Sequence, residues 1–302
     1  MSKGRTLKLY LVDGSPSGLI TAEIMNWSGH VITAPRARLP DLLKRPETQR
    51  TGVYFLVGPE QAVPDVYIGE TDDIGERLTQ HDRPESKGGK DFWERVCFVT
   101  SKDTNLTKGH VKFLESRLIR IAKDAGRCQL QNVNKSEYKN LPEADCADME
   151  FFIEQVQTML PVLGMNFLRA TPDLNKTADS PDFVAEVKKH GLSAQARQVD
   201  DEFVVLKGSK ARLAWEGAHG GYENLYNELV AADVLLMAPD GTHRMFARNY
   251  PFSSPSAAGA VISGRSANGR EFWTVKSSGE TYGQWQSKAV EAASKQASDT
   301  DS

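Results

Sequence analysis

Between residues 50 and 100 the chain carries its densest β pattern. Gly52-Val-Tyr-Phe-Leu-Val57 is a β-rich apolar run, Gly58-Pro59-Glu60 punctuates it, and Val66-Tyr-Ile-Gly69 is a second short run. Together they predict a hairpin with one tyrosine on each strand. Residues 70–81 predict a helix with Thr71 or Asp72 as cap and acids in its first turn, where they favour the macrodipole. A strand over 92–99 follows. The periodic stretch 106–124 then predicts a long helix with Leu114, Leu118 and Ile121 facing inward and Glu115 beside them.

The flanks carry weaker patterns. Residues 8–12 predict a strand, 13–16 a turn, 18–26 a short helix entered from Ser15 or Ser17, and 30–33 a strand. Residues 39–44 predict a short helix that ends near Pro46, because proline cannot donate the next hydrogen bond. The opening segment, 1–49, therefore predicts an extension that acts as a lid or arm. Beyond Lys139 come a predicted helix at 150–162 and a polar, proline-containing linker at 170–182. A second domain is expected from near Phe183: strand 203–206, turn and helix entry at 208–212, helix 222–232, a helix over 257–262 capped by Ser256, and Trp273 in the core. The expected organisation is 1–49 extension, 50–140 a first domain, 141–182 helix and linker, 183–287 a C-terminal domain and 288–302 a frayed polar tail.

Composition narrows the function classes. A chain of 302 residues with 39% hydrophobic content predicts roughly two or three globular domains. No run is long enough to span a bilayer, and Met1-Ser-Lys-Gly-Arg-Thr leads directly into the first strand without the apolar segment of a secretion signal. A cytoplasmic protein without membrane contact is expected. Cys97, Cys128 and Cys146 are scattered and lack a Cys or His neighbour at zinc-ligand spacing, which fits a reducing compartment and not structural zinc. A formal net charge of -3 argues against nucleic-acid binding by bulk electrostatics, so any such surface must be local. The segment before Thr51 leans basic, with Arg36, Arg38, Lys44, Arg45 and Arg50; a solvated face explains this equally well.

Arg77 and His81, four apart, share one face of the predicted helix and can both reach one phosphate. Here the residues resemble the GIY-YIG nuclease family, whose two tripeptides stand as Gly52-Val53-Tyr54, with valine for isoleucine, and Tyr67-Ile68-Gly69. The resemblance extends to Arg77-x-x-x-His81, to Glu115 inside a hydrophobic helix, and to an asparagine after it, Asn132 or Asn134, with Asn132 preferred. It covers residues 50–140 and implies an α+β architecture: a GIY-YIG α/β sandwich with a small, mostly antiparallel three-stranded central sheet flanked by helices, beside a separate C-terminal α+β domain. The segment from Met245 through Trp273 resembles the C-terminal domain of unknown function that accompanies GIY-YIG modules in bacterial proteins, through its Phe252-Ser-Ser-Pro-Ser-Ala-Ala258 and Gly264-Arg-Ser-Ala-Asn-Gly269 blocks.

The resemblance implies a metal-dependent endonuclease that hydrolyses DNA, or RNA, with Tyr54, Tyr67, Arg77, His81, Glu115 and Asn132 as site residues and Glu115 holding Mg2+ or Mn2+. Phosphodiester cleavage needs an activated water, neutralised charge on the pentacovalent transition state and a stabilised leaving oxygen. Glu115 suits Mg2+, which keeps most of its waters. Arg77 would clamp a non-bridging oxygen through its planar fork. Tyr54 would activate or orient water, with Tyr67 and His81 bonding the phosphate. Each residue has a plainer reading beside this one: the tyrosines as core rings, Arg77 and His81 as solvated helix residues, Glu115 as an ion-pair partner of Lys112, and the asparagines as turn residues. Glu70 departs from the family, where a lysine often follows the second tripeptide. Lys87, Lys90 and Lys108 are the cations that could replace it, each with a plainer reading as a solubilising surface residue. A catalytically inactive nucleic-acid-binding or scaffolding protein is the alternative, and the oligomeric state is open.

Overall fold

The computed structural model describes residues 4–103, 105–132, 137–172, 174, 180–199, 201–288 and 290–291. The preferred asparagine's alternative, Asn134, and nearly all of the 288–302 tail lie outside the described residues. The chain divides into two compact units, Met1–Ala170 and Thr171–Ser302.

The first unit contains, in order, β1 (Leu7–Leu11), β2 (Ile20–Ile24), β3 (Gly29–Pro35), α1 (Leu39–Leu42), β4 (Gly52–Val57), β5 (Asp65–Thr71), α2 (Ile74–His81), β6 (Arg95–Ser101), α3 (Lys108–Ala125), β7 (Gln129–Leu130) and α4 (Glu143–Val162). Seven strands form one sheet in the order β1-β2-β3-β6-β4-β5-β7, antiparallel throughout except for the β5/β7 pair. The three strands expected pair antiparallel in the order β6-β4-β5, but they belong to a seven-stranded sheet and not to a three-stranded one. The segment read as a lid or arm supplies three further strands, and the helix expected over 18–26 is instead the strand β2. Ile20-Thr-Ala-Glu-Ile24 is β-branched at three of its positions, and hydrogen bonding to β1 on one side and β3 on the other outweighs any weak helical tendency.

Alternation along β4 sends side chains to two cores. Val53, Phe55 and Val57 join Val66, Ile68, Val111, Leu114 and Leu118 under α3 and α4, while Tyr54 and Leu56 join Leu42, Ile74, Leu78 and Trp93 on the face covered by α1 and α2. Helix α2 starts later than expected. Thr71 remains in β5, and Asp73 is the N-cap, its carboxylate accepting from Glu76 N at 2.7 Å. Helix α3 opens on a reciprocal cap between Thr107 and His110 and closes on left-handed Gly126. Helix α4 begins well before the expected residue 150, with Pro142 at its N-cap.

The second unit contains β8 (Phe183–Val187), β9 (Leu192–Val199), β10 (Glu202–Val205), β11 (Lys210–Ala211), α5 (Gly221–Ala231), β12 (Leu235–Met237), β13 (Arg244–Phe246), β14 (Tyr250–Phe252), α6 (Pro255–Ser263), α7 (Gly269–Phe272) and β15 (Thr274–Val275). Its strands form sheets β14-β10-β9-β8-β15 and β11-β13-β12, so this unit is also α+β. Residues 208–212 turn into a strand paired with β13 and not into a helix. The α6 cap is Ser254, whose hydroxyl accepts from Ala257 N at 3.1 Å, whereas Ser256 accepts from Gly269 N. Trp273 is fully buried, its Nε1 donating to Pro255 O at 3.0 Å. The three cysteines are free thiols, and no described helix is long and apolar enough to cross a membrane.

Candidate active site

Four of the residues singled out in the sequence converge on the α1/α2 face of the first unit. Tyr54 reaches it from the centre of β4, Tyr67 from β5, and Arg77 and His81 from one face of α2, as their spacing of four predicts. Tyr54 pairs with Gly69 across the hairpin, and a Cβ at Gly69 would collide with the Tyr54 phenol. The glycine that ends the second tripeptide therefore makes room for the tyrosine that ends the first. The ring centroids of Tyr54 and Tyr67 lie 6.2 Å apart, with the His81 ring 5.4 Å from Tyr54 and 5.5 Å from Tyr67.

The polar atoms of this group meet at the Tyr54 phenol. Arg77 Nε donates to Tyr54 Oη at 3.1 Å, and Tyr54 Oη lies 2.8 Å from His81 Nε2. Burial, with the Arg77 and Lys90 charges adding to it, lowers the His81 pKa to about 4, so the imidazole is neutral at pH 7. With Arg77 donating to the phenol oxygen, the phenol O–H is free to donate to Nε2, which places the imidazole proton on Nδ1. The remaining ring nitrogen, Nδ1, is buried without a partner among the described residues. Burial first, then neighbouring Tyr67, holds the Tyr54 phenol above its ordinary pKa against the opposing pull of Arg77. For Arg77, burial works against the charge, but the Tyr54 and Tyr67 oxygens outweigh it and raise its pKa. Tyr54 is thus a protonated phenol held between a cation and a neutral base.

Arg77 is also restrained along its own helix. Its Nη1 donates to Gln80 Oε1 at 2.8 Å, and Gln80 Nε2 donates to Glu76 at 3.2 Å. Sequence reasoning passed over Gln80, although its i+3 spacing from Arg77 on a helix was the available signal. Arg77 takes part in no ion pair among the described residues, in contrast to Arg36, Arg38, Arg45 and Arg117 in the same unit, each of which pairs with a carboxylate.

Asn132 and Glu115 stand elsewhere around β5. Asn132 follows the short parallel strand β7, and its amide continues that pairing: Oδ1 accepts from Ile68 N at 3.0 Å and Nδ2 donates to Ile68 O at 2.7 Å. Both halves of the amide are engaged in pinning the backbone next to Tyr67. Glu115 is only 5% exposed and sits in the Val111–Glu115–Leu118–Ala122 stripe of α3, the helix that packs on β5 and β4 from the opposite face. A carboxylate in an apolar stripe is costly unless a counter-charge or hydrogen bonds meet it. Among the described residues no group of three His, Cys, Asp or Glu side chains is placed to hold a metal.

The departure at Glu70 has a local answer. Glu70 and Asp72 both pair with Lys108 at the start of α3, at 2.7 and 3.0 Å, so one ammonium is shared between two carboxylates. Glu70, Asp72, Asp73 and Glu76 line a shallow polar depression beside Arg77 and Gln80.

No curated protein and no solved structure matches the chain. The family match lies wholly within the second unit, so the nuclease resemblance of residues 50–140 rests on the motif residues and their convergence. Over residues 183–286 the chain is similar to the family described as a domain of unknown function, DUF4357.

Proposed function

We propose that the first unit is a metal-dependent endonuclease acting on the phosphodiester bonds of nucleic acid, DNA in the first instance, through Tyr54, Tyr67, Arg77, His81 and Glu115. The observation that carries this reading is the Arg77–Tyr54–His81 group: a cation with no carboxylate partner among the described residues, bonded to a phenol that is itself bonded to a neutral imidazole. A guanidinium bonded to a phenol and a side-chain amide, and to no acid among the described residues, is suited to an anion from outside.

In this reading Arg77 binds a non-bridging phosphate oxygen, and its charge persists at any working pH. Tyr67, half-buried, offers its hydroxyl to the same phosphate. Tyr54 orients the attacking water; its raised pKa and the lowered pKa of His81 both oppose moving a proton from the phenol to Nε2, so the pair positions water and does not relay its proton. Asn132 acts indirectly, by fixing the strand that carries Tyr67. Glu115 is the buried carboxylate that the resemblance offers to Mg2+ or Mn2+, but α3 carries it on the sheet face opposite Arg77 and Tyr54. No group of three His, Cys, Asp or Glu side chains among the described residues is placed to hold a metal, so no step runs through the ion.

A second reading, a nucleic-acid-binding or scaffolding protein without turnover, is favoured by the acid-lined depression beside Arg77 and by the complete burial of Tyr54. Incubation of plasmid and single-stranded DNA with purified protein in Mg2+, Mn2+ or EDTA separates the two. Metal-dependent cutting lost in both Arg77→Ala and Glu115→Gln is the expected result. DNA binding with no cutting under any metal supports the second reading, and cutting that survives both substitutions removes this site from consideration.

A further inference from the structure

Of the three lysines able to replace the family's lysine after the second tripeptide, two do not serve the site. Lys108 is committed to Glu70 and Asp72, and Lys87 is exposed. Lys90 differs from both. Its Nζ stands 4.3 Å from the centroid of the Tyr67 ring, over the ring face, and its charge contributes to the depressed pKa of His81. It makes no ion pair among the described residues, although the segment that carries it contains acids.

The backbone places Lys90 there by several independent contacts. The segment Asp82-Arg-Pro-Glu-Ser-Lys-Gly-Gly-Lys90 leaves the end of α2, and Gly88 turns it with φ of 82°, a left-handed conformation. At Gly89 the chain passes so close to the Arg83 carbonyl that a Cβ would collide with it, and Gly89 N donates to Pro84 O at 3.2 Å. Lys90 N then donates to His81 O at 2.9 Å, returning the chain to the helix end beside the imidazole. Arg36 takes up two acids around this segment: its Nε bonds Asp82 at 2.8 Å and its Nη2 lies 3.6 Å from Asp91. Those two carboxylates are turned to Arg36, while Lys90 stands on an aromatic face.

We propose that Lys90 is a phosphate-contacting residue of this site, seating with Arg77 the phosphodiester group that is to be cut. Two cations without carboxylate partners among the described residues, one on Tyr54 and one over Tyr67, flank the two tyrosines. A Lys ammonium presents a compact charge with three donors, complementary to the bidentate fork of Arg77. The proposal rests on the endonuclease reading for the identity of the anion as a nucleic-acid phosphate.

The test uses the full chain in EDTA, so that nothing is cut, with two probes: inorganic phosphate, followed through the His81 ring resonance, and a labelled single-stranded oligonucleotide, followed by anisotropy across a salt series. Phosphate should shift the His81 resonance, and Lys90→Met should weaken that binding on the order of tenfold while Lys90→Arg restores most of it. For the oligonucleotide, Lys90→Met should reduce the slope of log affinity against log salt by about 0.7. Lys44→Met, whose lysine is paired with Asp41, should change neither readout. Oligonucleotide binding with an unchanged slope in Lys90→Met overturns the role of Lys90 and leaves the endonuclease reading standing. Phosphate binding that depends on Lys90, without any oligonucleotide binding by the wild type, supports the anion seat and counts against the endonuclease reading. If the wild type binds neither probe, both are overturned.

Discussion

Each unit of this protein contains a cluster of aromatic rings in edge and tilted contact, and the two clusters differ in where their polar atoms go. In the second unit Phe203 lies 4.9 Å from Trp273, 5.6 Å from Tyr282 and 5.7 Å from Phe183. There Trp273 Nε1 donates to the Pro255 carbonyl and the Tyr282 hydroxyl to Gln198, each satisfied by an ordinary neighbour. In the first unit the ring spacings of Tyr54, Tyr67 and His81 are similar, but the phenol and imidazole face one another and a guanidinium, and an ammonium stands over the outer ring. Ring packing alone therefore says nothing about chemistry. A cluster becomes a candidate site when its heteroatoms converge on one another beside a cation that no carboxylate neutralises.

The comparison predicts that the second cluster responds to substitution as a core and the first as a site. Phe203→Ala should cost about 3–5 kcal/mol of stability, read from hydrogen exchange in β8 to β10, because a 1% exposed ring leaves a cavity. A loss below about 1 kcal/mol would mean that the ring is not holding the sheet together. Arg77→Ala should lower metal-dependent cleavage by about 10²–10³-fold, the range seen when one charged or oxyanion donor is removed. Arg77→Lys should recover little of this, because an ammonium cannot reproduce the planar fork. A fall of less than tenfold with a nucleic-acid substrate would place the first cluster with the second.

The neutral imidazole supplies the next test. His81 is 3% exposed and titrates near 4 in the folded chain, below its ordinary 6.5. The unfolded chain takes up this proton first, so the stability it confers is complete above about pH 6.5 and is lost as the pH falls toward 4. The expected loss is roughly 2–3 kcal/mol between those limits. Urea unfolding of wild type and His81→Gln as a function of pH measures it: the substitution should flatten the dependence in that window, and equal slopes would mean that His81 is solvated and ionises normally.

How much of this was legible in the sequence depended on how local the determining force is. The hairpin of β4 and β5 and the placing of Arg77 and His81 on one helix face follow from alternation and from a spacing of four, both properties of short windows. The strand β2 was read as a helix because what makes it a strand is pairing with two neighbours, one of which lies across a turn on each side. The cap of α2 shifted to Asp73 because β5 keeps Thr71 in its ladder with Gly52, a competition between elements that no single window contains. Lys90 looked like a solubilising residue because nothing in its neighbourhood shows that Arg36, far off in sequence, removes Asp82 and Asp91. Asn132 was noticed for its residue type, and only the register of β7 on β5 shows that its amide is occupied by Ile68.

The smallest effect sharpens the comparison most, because it changes one atom in each cluster. Tyr54→Phe keeps the ring and removes the oxygen that Arg77 and His81 share, leaving two buried or half-buried polar groups without that partner. Tyr282→Phe removes one bond of 3.2 Å to Gln198, which is partly open to water. Stranding buried donors costs more than deleting a replaceable bond, so Tyr54→Phe should destabilise the first unit by about 1–2 kcal/mol and Tyr282→Phe the second by about 0.5 kcal/mol or less. The difference can be undercut, since the bare Tyr54 ring no longer has to desolvate a phenol. Urea unfolding of the two variants, with cleavage assayed in parallel, decides the matter. If Tyr54→Phe is neutral in stability and in cleavage, the phenol is a passive core group and the convergence of polar atoms around it has no functional meaning. If it is neutral in stability but cleavage falls, the oxygen is held there at no net gain to the fold, as expected of a group kept for chemistry.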